Sequence, residues 1–176
     1  AQEFAKALKV KTTRHDGYLE SENTIVTWCV GHLVTMSYPE VYDIKYKRWT
    51  LETLPFLPGE FKYEVIPSVK KQFEIVKGLL NRPDVDTIYV CTDSGREGEY
   101  IYRLVDDMAK VSPDKEKRRV WIDSQTEEEI KRGIKEAKLL SEYDNLSSAA
   151  YLRAKSDYLM GINFSRVLSL KYGRTI

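Results

Sequence analysis

Residues 88–104 read IYVCTDSGREGEYIYRL, and the character of the chain changes at Asp93. An apolar run stops there. The next seven residues, DSGREGE, hold three carboxylates, one arginine and two glycines. The run TIYVCTD fits a parallel strand buried on both faces. Past the glycines, Ile101, Leu104, Val105 and Met108 recur at helical spacing. Strand, charged turn and helix predict one β–α step of a parallel sheet, with Asp93 the last residue of a central strand.

The flanks repeat that step. FKYEVI (61–66) alternates as a short strand, Pro67 suits the first turn of a helix, and Val69, Phe73, Val76 and Leu80 form one apolar face. RRVWI (118–122) reads as another strand. Thr126 with Glu129 makes a capping box for a helix that continues through Ile130, Ile134 and Ala137. Residues 61–140 therefore alternate β and α, which predicts an α/β fold with a parallel sheet flanked by helices.

Upstream, TIVTWCVGHLV (24–34) reads as one strand ended by Gly31, and RHDG (14–17) as a hairpin turn that gives His15 no role. Residues 35–60 hold three prolines and five aromatics without periodicity, the pattern of a long ordered loop. Its stretch YDIKYKRW (42–49) either covers core or stacks nucleic-acid bases. AQEFAKAL already has helical rhythm at residue 1, with no Met, so the chain is expected to be a piece of a longer protein. Residues 144–176 read as helical nearly throughout, with a bend expected at Gly161. The expected division is an α/β domain over 1–143, lacking its first strand, and the helical beginning of a second domain over 144–176.

Bulk composition excludes little. The chain has 176 residues, with 28 basic against 27 acidic side chains, so any basic surface must come from local clustering. Cys29 and Cys91 lie in apolar runs without metal-ligand spacing, which predicts two small buried hydrophobes in a reduced, cytoplasmic protein. No apolar run approaches the roughly 18–20 residues of a membrane span, and no signal peptide is expected.

The acidic turn has two readings. Acids favour a helix N-terminus by about 0.3–1 kcal/mol each, which accounts for one or two of them. The other reading is a hard-cation site. Mg²⁺ takes oxygen ligands and is usually held by one or two carboxylates plus substrate phosphate, and Arg96 offers a planar fork for a phosphate oxygen. No Gly-Lys-Ser/Thr follows the strand, so this is not a P-loop.

CTDSGREGEYIYRLV resembles the acidic motif of the toprim domain of type IA DNA topoisomerases: strand, Asp-x-Asp-Arg-Glu-Gly-Glu, helix. VGHLVTM, YDIKYKRWTLETLPFLPGEFKYEVIP, RRVWIDSQTEEEIKRGI and AAYLRAKSDYLMGINFSRVLSLKYG resemble further family segments, in family order. The loop is most like that of bacterial topoisomerase III-like members, which can read Asp-Ala-Gly-Arg-Glu-Gly-Glu. The resemblance implies Mg²⁺ as cofactor, with Asp93, Glu97 and Glu99 as metal candidates and Glu97, Arg96 and His32 as catalytic candidates. It implies single-stranded DNA as partner, contacted by Arg153, with Asp157 orienting it, and by Asn163 and Arg166 along a basic track. The remaining domains of the same chain are the other implied partner, and a nucleoid-associated, cytoplasmic location follows.

Two departures stand out. Gly95 occupies the position of the family's second aspartate, and the first-strand glutamate and lysine of the family are absent from these residues. None of the 12 tyrosines lies in a segment like the family's nucleophile stretch. Tyr89, Tyr100 and Tyr102 flank the loop as packing residues. Three rivals share parts of the pattern: a toprim nuclease or primase, a non-catalytic DNA-binding module, and a receiver-type phosphotransfer domain.

Overall fold

The computed structural model describes residues 1–173. A short helix, α1 (Gln2–Ala7), precedes an antiparallel meander of β1 (Thr13–His15), β2 (Tyr18–Glu20) and β3 (Ile25–Thr27). The β1–β2 turn needs Gly17, whose φ is +79°; a Cβ there would also come within 2.6 Å of Gln72. Gln72 donates to the carbonyls of Gly17 and Trp28, so the meander is tied to the helix behind it. β4 (Val34–Met36) and β5 (Tyr63–Val65) form a separate antiparallel pair. The long segment between them contains three short 3₁₀ turns. Pro67 opens one more such turn and leads into α2 (Lys70–Leu80).

β6 (Thr87–Val90), α3 (Arg96–Ala109) and β7 (Glu116–Arg119) form the expected β–α–β step, with β6 and β7 parallel. α4 (Glu127–Lys135) follows, capped by Thr126, whose hydroxyl accepts from the Glu129 amide. β8 (Lys138–Leu139) then pairs antiparallel with β7. A 3₁₀ turn leads into α5 (Asp144–Tyr172). The core lies between α2, α3 and the β6–β7 pair, around Phe73, Val76, Val90, Leu104 and Val105. The first half of α5 seals it with Ala150. Among the described residues no helix is long and apolar enough to cross a membrane.

The α/β class holds, and four details of the expectation are corrected. First, β6 is an edge strand among the described residues: the sheet order is β6-β7-β8, and β6 pairs on one side only. Second, β6 is not buried on both faces. Ile88 and Val90 face the core while Tyr89 is 46% exposed, because a continuous apolar run does not by itself specify how many faces are covered. Cys91 is exposed for the same reason, and Cys29 is half-buried, its thiol pushed up to about 11 by burial. Third, residues 24–34 are not one strand. Gly31 takes a φ of +83°, and the chain leaves the meander after β3 and re-enters a different sheet at β4. Fourth, α5 runs unbroken through Gly161 to Gly173, whose φ of +66° ends it. A helical glycine costs only about 1 kcal/mol against alanine, and packing overrides that.

Candidate functional site

The acidic turn is built from beneath. Arg119, the last residue of β7, is fully buried. Its Nη1 donates to the carbonyls of Val90 (3.1 Å), Thr92 (2.7 Å) and Val120 (3.1 Å), and its Nη2 to that of Asp93 (2.5 Å). Its Nε donates to Glu99 Oε2 at 3.0 Å. Burial alone would push this guanidinium below its usual range, and Glu99 offsets part of that. Unpaired, such a charge would cost several kcal/mol. Here each of its three nitrogens meets a carbonyl or a carboxylate.

Glu99 is 0% exposed, and its second oxygen accepts from Arg103 Nε at 2.8 Å. Arg103 Nη2 continues to the Leu140 carbonyl (2.8 Å) and to Asp144 (2.9 Å) at the start of α5. Both Glu99 oxygens are therefore occupied by arginines. The expectation that Glu99 ligates a metal is corrected: it supports the turn instead. Glu97, two residues earlier in the same first turn of α3, is exposed.

Smaller contacts complete the frame. Ser94 Oγ donates to the Ile122 carbonyl (2.8 Å) and accepts from the Ile122 amide (2.9 Å), and Thr92 Oγ1 donates to the Gly98 carbonyl (2.7 Å). Gly98 is pressed against the turn: a Cβ there would lie 2.0 Å from the Asp93 carbonyl oxygen. Gly95 differs. Its φ of 175° and ψ of 179° are extended backbone, and a Cβ would meet nothing within 4 Å. Steric need accounts for Gly98 and not for Gly95.

On this frame Asp93, Arg96 and Glu97 are exposed. Glu97 Oε1 lies 2.5 Å from Nε2 of His32, which reaches the loop from just past Gly31 and sets its ring edge-on to Tyr100. The structure thus brings Glu97 and His32 into contact, with Asp93 and Arg96 exposed on the same turn. Two exposed carboxylates on a rigid turn fit Mg²⁺, which completes its shell with water and phosphate. Among the described residues no three His, Cys, Asp or Glu side chains gather as a metal-holding group. Tyr100 and Tyr102 are buried, and burial pushes both phenols above their ordinary range. They pack, as expected; Tyr89 does not.

The residues expected along α5 divide. Arg153 and Asp157 are exposed, with Arg153 Nε 3.5 Å from Asp157 Oδ2. Asn163 is corrected: its amide is spent on the chain, with Oδ1 accepting from the Phe56 amide (2.6 Å) and Nδ2 donating to the Phe56 carbonyl (3.0 Å) and the Leu159 carbonyl (2.9 Å). Arg166 is also not on an exposed track: it is buried, against the Trp49 ring. The residue that sequence reasoning missed is Arg119. A strand arginine beside Arg118 reads as solvated, and its partners are carbonyls, which leave no signature in side-chain sequence.

A model of the Toprim domain family matches residues 1–124. The chain is 45% identical over 172 residues to "DNA topoisomerase 3" of Bacillus cereus, covering 98% of this chain and 23% of that relative. It is 43% identical over 171 residues to "DNA topoisomerase 3" of Staphylococcus epidermidis, covering 97% of this chain and 24% of that relative. The chain therefore spans about a quarter of the length of the curated relatives it matches. With β6, the acidic turn, α3 and the Arg119 staple all inside the matched span, the chain belongs to the Toprim domain family.

Proposed function

We propose that this chain supplies the acidic-loop part of a type IA DNA topoisomerase, a Mg²⁺-dependent enzyme of the cytoplasm. Such an enzyme opens one strand of DNA through a 5′-phosphotyrosyl link, passes another strand and reseals. The observation that carries this reading is the exposure of both Asp93 and Glu97 on one turn past a strand end, on a backbone locked by Arg119, which Glu99 holds.

Phosphodiester exchange concentrates negative charge on the phosphate oxygens, so a catalytic site must position the phosphate and offset that charge. Asp93 and Glu97 are assigned the metal; when bound, Mg²⁺ supplies the positive charge beside the phosphate. Arg96, exposed on the same turn, is assigned a non-bridging oxygen. His32 orients Glu97 through the 2.5 Å contact. Arg153, with Asp157 beside it, is assigned a backbone phosphate of the single strand, a contact that tolerates any sequence. The attacking tyrosine and the group that protonates the leaving 3′-oxygen are assigned to other parts of the protein that carries this chain.

Asp93→Asn in that protein tests the reading. Relaxation of supercoiled DNA should fall at least about 100-fold, in line with losing one charge-stabilising group, while single-strand binding changes less than about threefold. Equal loss of both would make Asp93 structural. Full relaxation without Asp93 would end the metal assignment. An absence of any Mg²⁺ effect on the wild-type protein would favour the non-catalytic module.

A further inference from the structure

Arg103 stands where the acidic turn meets the start of α5. Its Nε donates to Glu99 Oε1 at 2.8 Å, and its Nη2 reaches the Leu140 carbonyl (2.8 Å) and Asp144 Oδ1 (2.9 Å). The Arg103 side chain is 19% exposed and that of Asp144 62%. Burial works against the Arg103 charge, and Glu99 and Asp144 more than offset it, so the guanidinium is held above its usual range. With Arg119 on the far side of Glu99, four side chains alternate in charge: Arg119, Glu99, Arg103 and Asp144. The line starts at the Asp93 carbonyl, which accepts from Arg119, and ends on the first residue of α5.

A second route joins the same two places. The Arg119 guanidinium carbon lies 5.4 Å from the centre of the Trp121 ring. Trp121 in turn stacks on Tyr143, with ring centres 5.4 Å apart and planes 15° from parallel. Tyr143 closes the 3₁₀ turn Leu140–Tyr143 that leads into α5. Both routes therefore run from the backbone under Asp93 to residues 140–144. Stability does not by itself account for the ionic route. A desolvated chain of ions is often no better than well-packed apolar side chains of the same volume, and α3 and α5 already share an apolar core that includes Leu104 and Ala150. What directional bonds add is placement.

We propose that Arg103 is a positioning residue for the acidic turn. It ties Glu99 to the entry of α5, and through Glu99 and Arg119 it sets where the Asp93 backbone stands. Asp144 anchors the outer end of the tie. The inference rests on the metal reading of Asp93 and Glu97 above. Carboxylates hold a metal well only when their own supports are fixed, and partners one step removed from the ligands set much of the affinity.

Calorimetric Mg²⁺ binding, alongside melting without Mg²⁺, tests this in the protein that carries the chain. The binding counted is that lost in Asp93→Asn. Arg103→Lys keeps a cation against Glu99, but an ammonium lacks the planar fork that spans all three acceptors. Its Mg²⁺ affinity should fall about 10-fold, the lower end for a partner one step removed from a metal ligand. Asp144→Ala cuts the tie from an exposed position and should weaken Mg²⁺ binding about threefold, in line with a single exposed ion pair, with melting unchanged. Asp144→Asn keeps an acceptor for Arg103 and should recover most of that loss. The double variant of Arg103→Lys with Asp144→Ala should bind Mg²⁺ no more weakly than Arg103→Lys alone, because both cut one tie. Mg²⁺ affinity unchanged in Arg103→Lys and Asp144→Ala, whatever their melting, makes Arg103 purely structural and overturns the proposal. The topoisomerase reading, judged by relaxation in Asp93→Asn, then stands. Losses that add in the double variant also overturn it, since the two residues would then act separately. Should Arg103→Lys fail to fold, the two Asp144 variants decide by the same criterion. No Mg²⁺ binding by the wild type, with Asp93→Asn relaxing DNA fully, overturns the metal reading and the positioning role together.

Discussion

Arg119 and Arg166 are both buried arginines, and they do opposite things. Arg119 meets the carbonyls of four residues and a carboxylate, and with them it shapes the acidic turn. Arg166 meets an aromatic face and leaves two donors idle. One region has its charges matched internally, so its outward groups, Asp93 and Glu97, are free to act on something else. The other holds its charge against an aromatic ring, with no carboxylate in ion-pair contact among the described residues. Burial of a cation is therefore no statement about its role until its partners are counted.

The largest expected effect breaks or confirms this contrast directly. Arg119→Met leaves Glu99 with one partner and strips several buried carbonyls, so unfolding free energy should fall by about 3–5 kcal/mol. Arg166→Met removes an unpaired charge at the expense of a cation–π contact worth about 0.5–1 kcal/mol, so its stability should stay within about 1 kcal/mol of wild type in either direction. Urea denaturation of both variants measures this. Similar large losses in the two would show that Arg166 is as structural as Arg119.

The two loop glycines sharpen the acidic side. Gly98→Ala puts a methyl group onto the Asp93 backbone and should cost about 2–4 kcal/mol, because backbone cannot yield as a side chain would. Gly95→Asp enters open space on extended backbone and should leave stability within about 0.5 kcal/mol. It also restores a third carboxylate, so the Mg²⁺ requirement for relaxation should move to lower concentration. Unchanged melting with an unchanged Mg²⁺ requirement would mean that position 95 does not face the metal.

The smallest effect spans both regions. Burial raises the phenols of Tyr100, Tyr102 and Tyr151 on the α3–α5 side and of Tyr158 beside Arg166, all from an ordinary 10.0. A raised folded-state value means that these groups favour folding fully below pH 10 and lose that contribution as pH climbs towards their folded values. Absorbance at alkaline pH should therefore show four phenols that stay protonated past pH 10 and ionise as the fold opens. Arg166→Met should raise the Tyr158 value slightly, since the arginine's charge works to lower it. No change at Tyr158 would show that the Arg166 charge does not reach it.

Local pattern specifies a good part of this protein. The turn DSGREGE, the helical stripe after it, the Pro67 and Thr126 helix starts and the α/β alternation are all properties of neighbouring residues, and each appears where the chain places it. The exposed pair of Asp93 and Glu97 follows from the same few residues. Long-range packing settled the rest. The edge position of β6, the transfer of residues 24–34 between two sheets, the inward turn of Glu99 and the clamp of Asn163 on Phe56 depend on partners 20 to 107 positions away. A charge in sequence carries only its sign. Whether it is solvated, stapled to carbonyls or left without a partner depends on what the folded chain brings within hydrogen-bonding distance, and for Arg119 and Arg166 only the packing could tell the two apart.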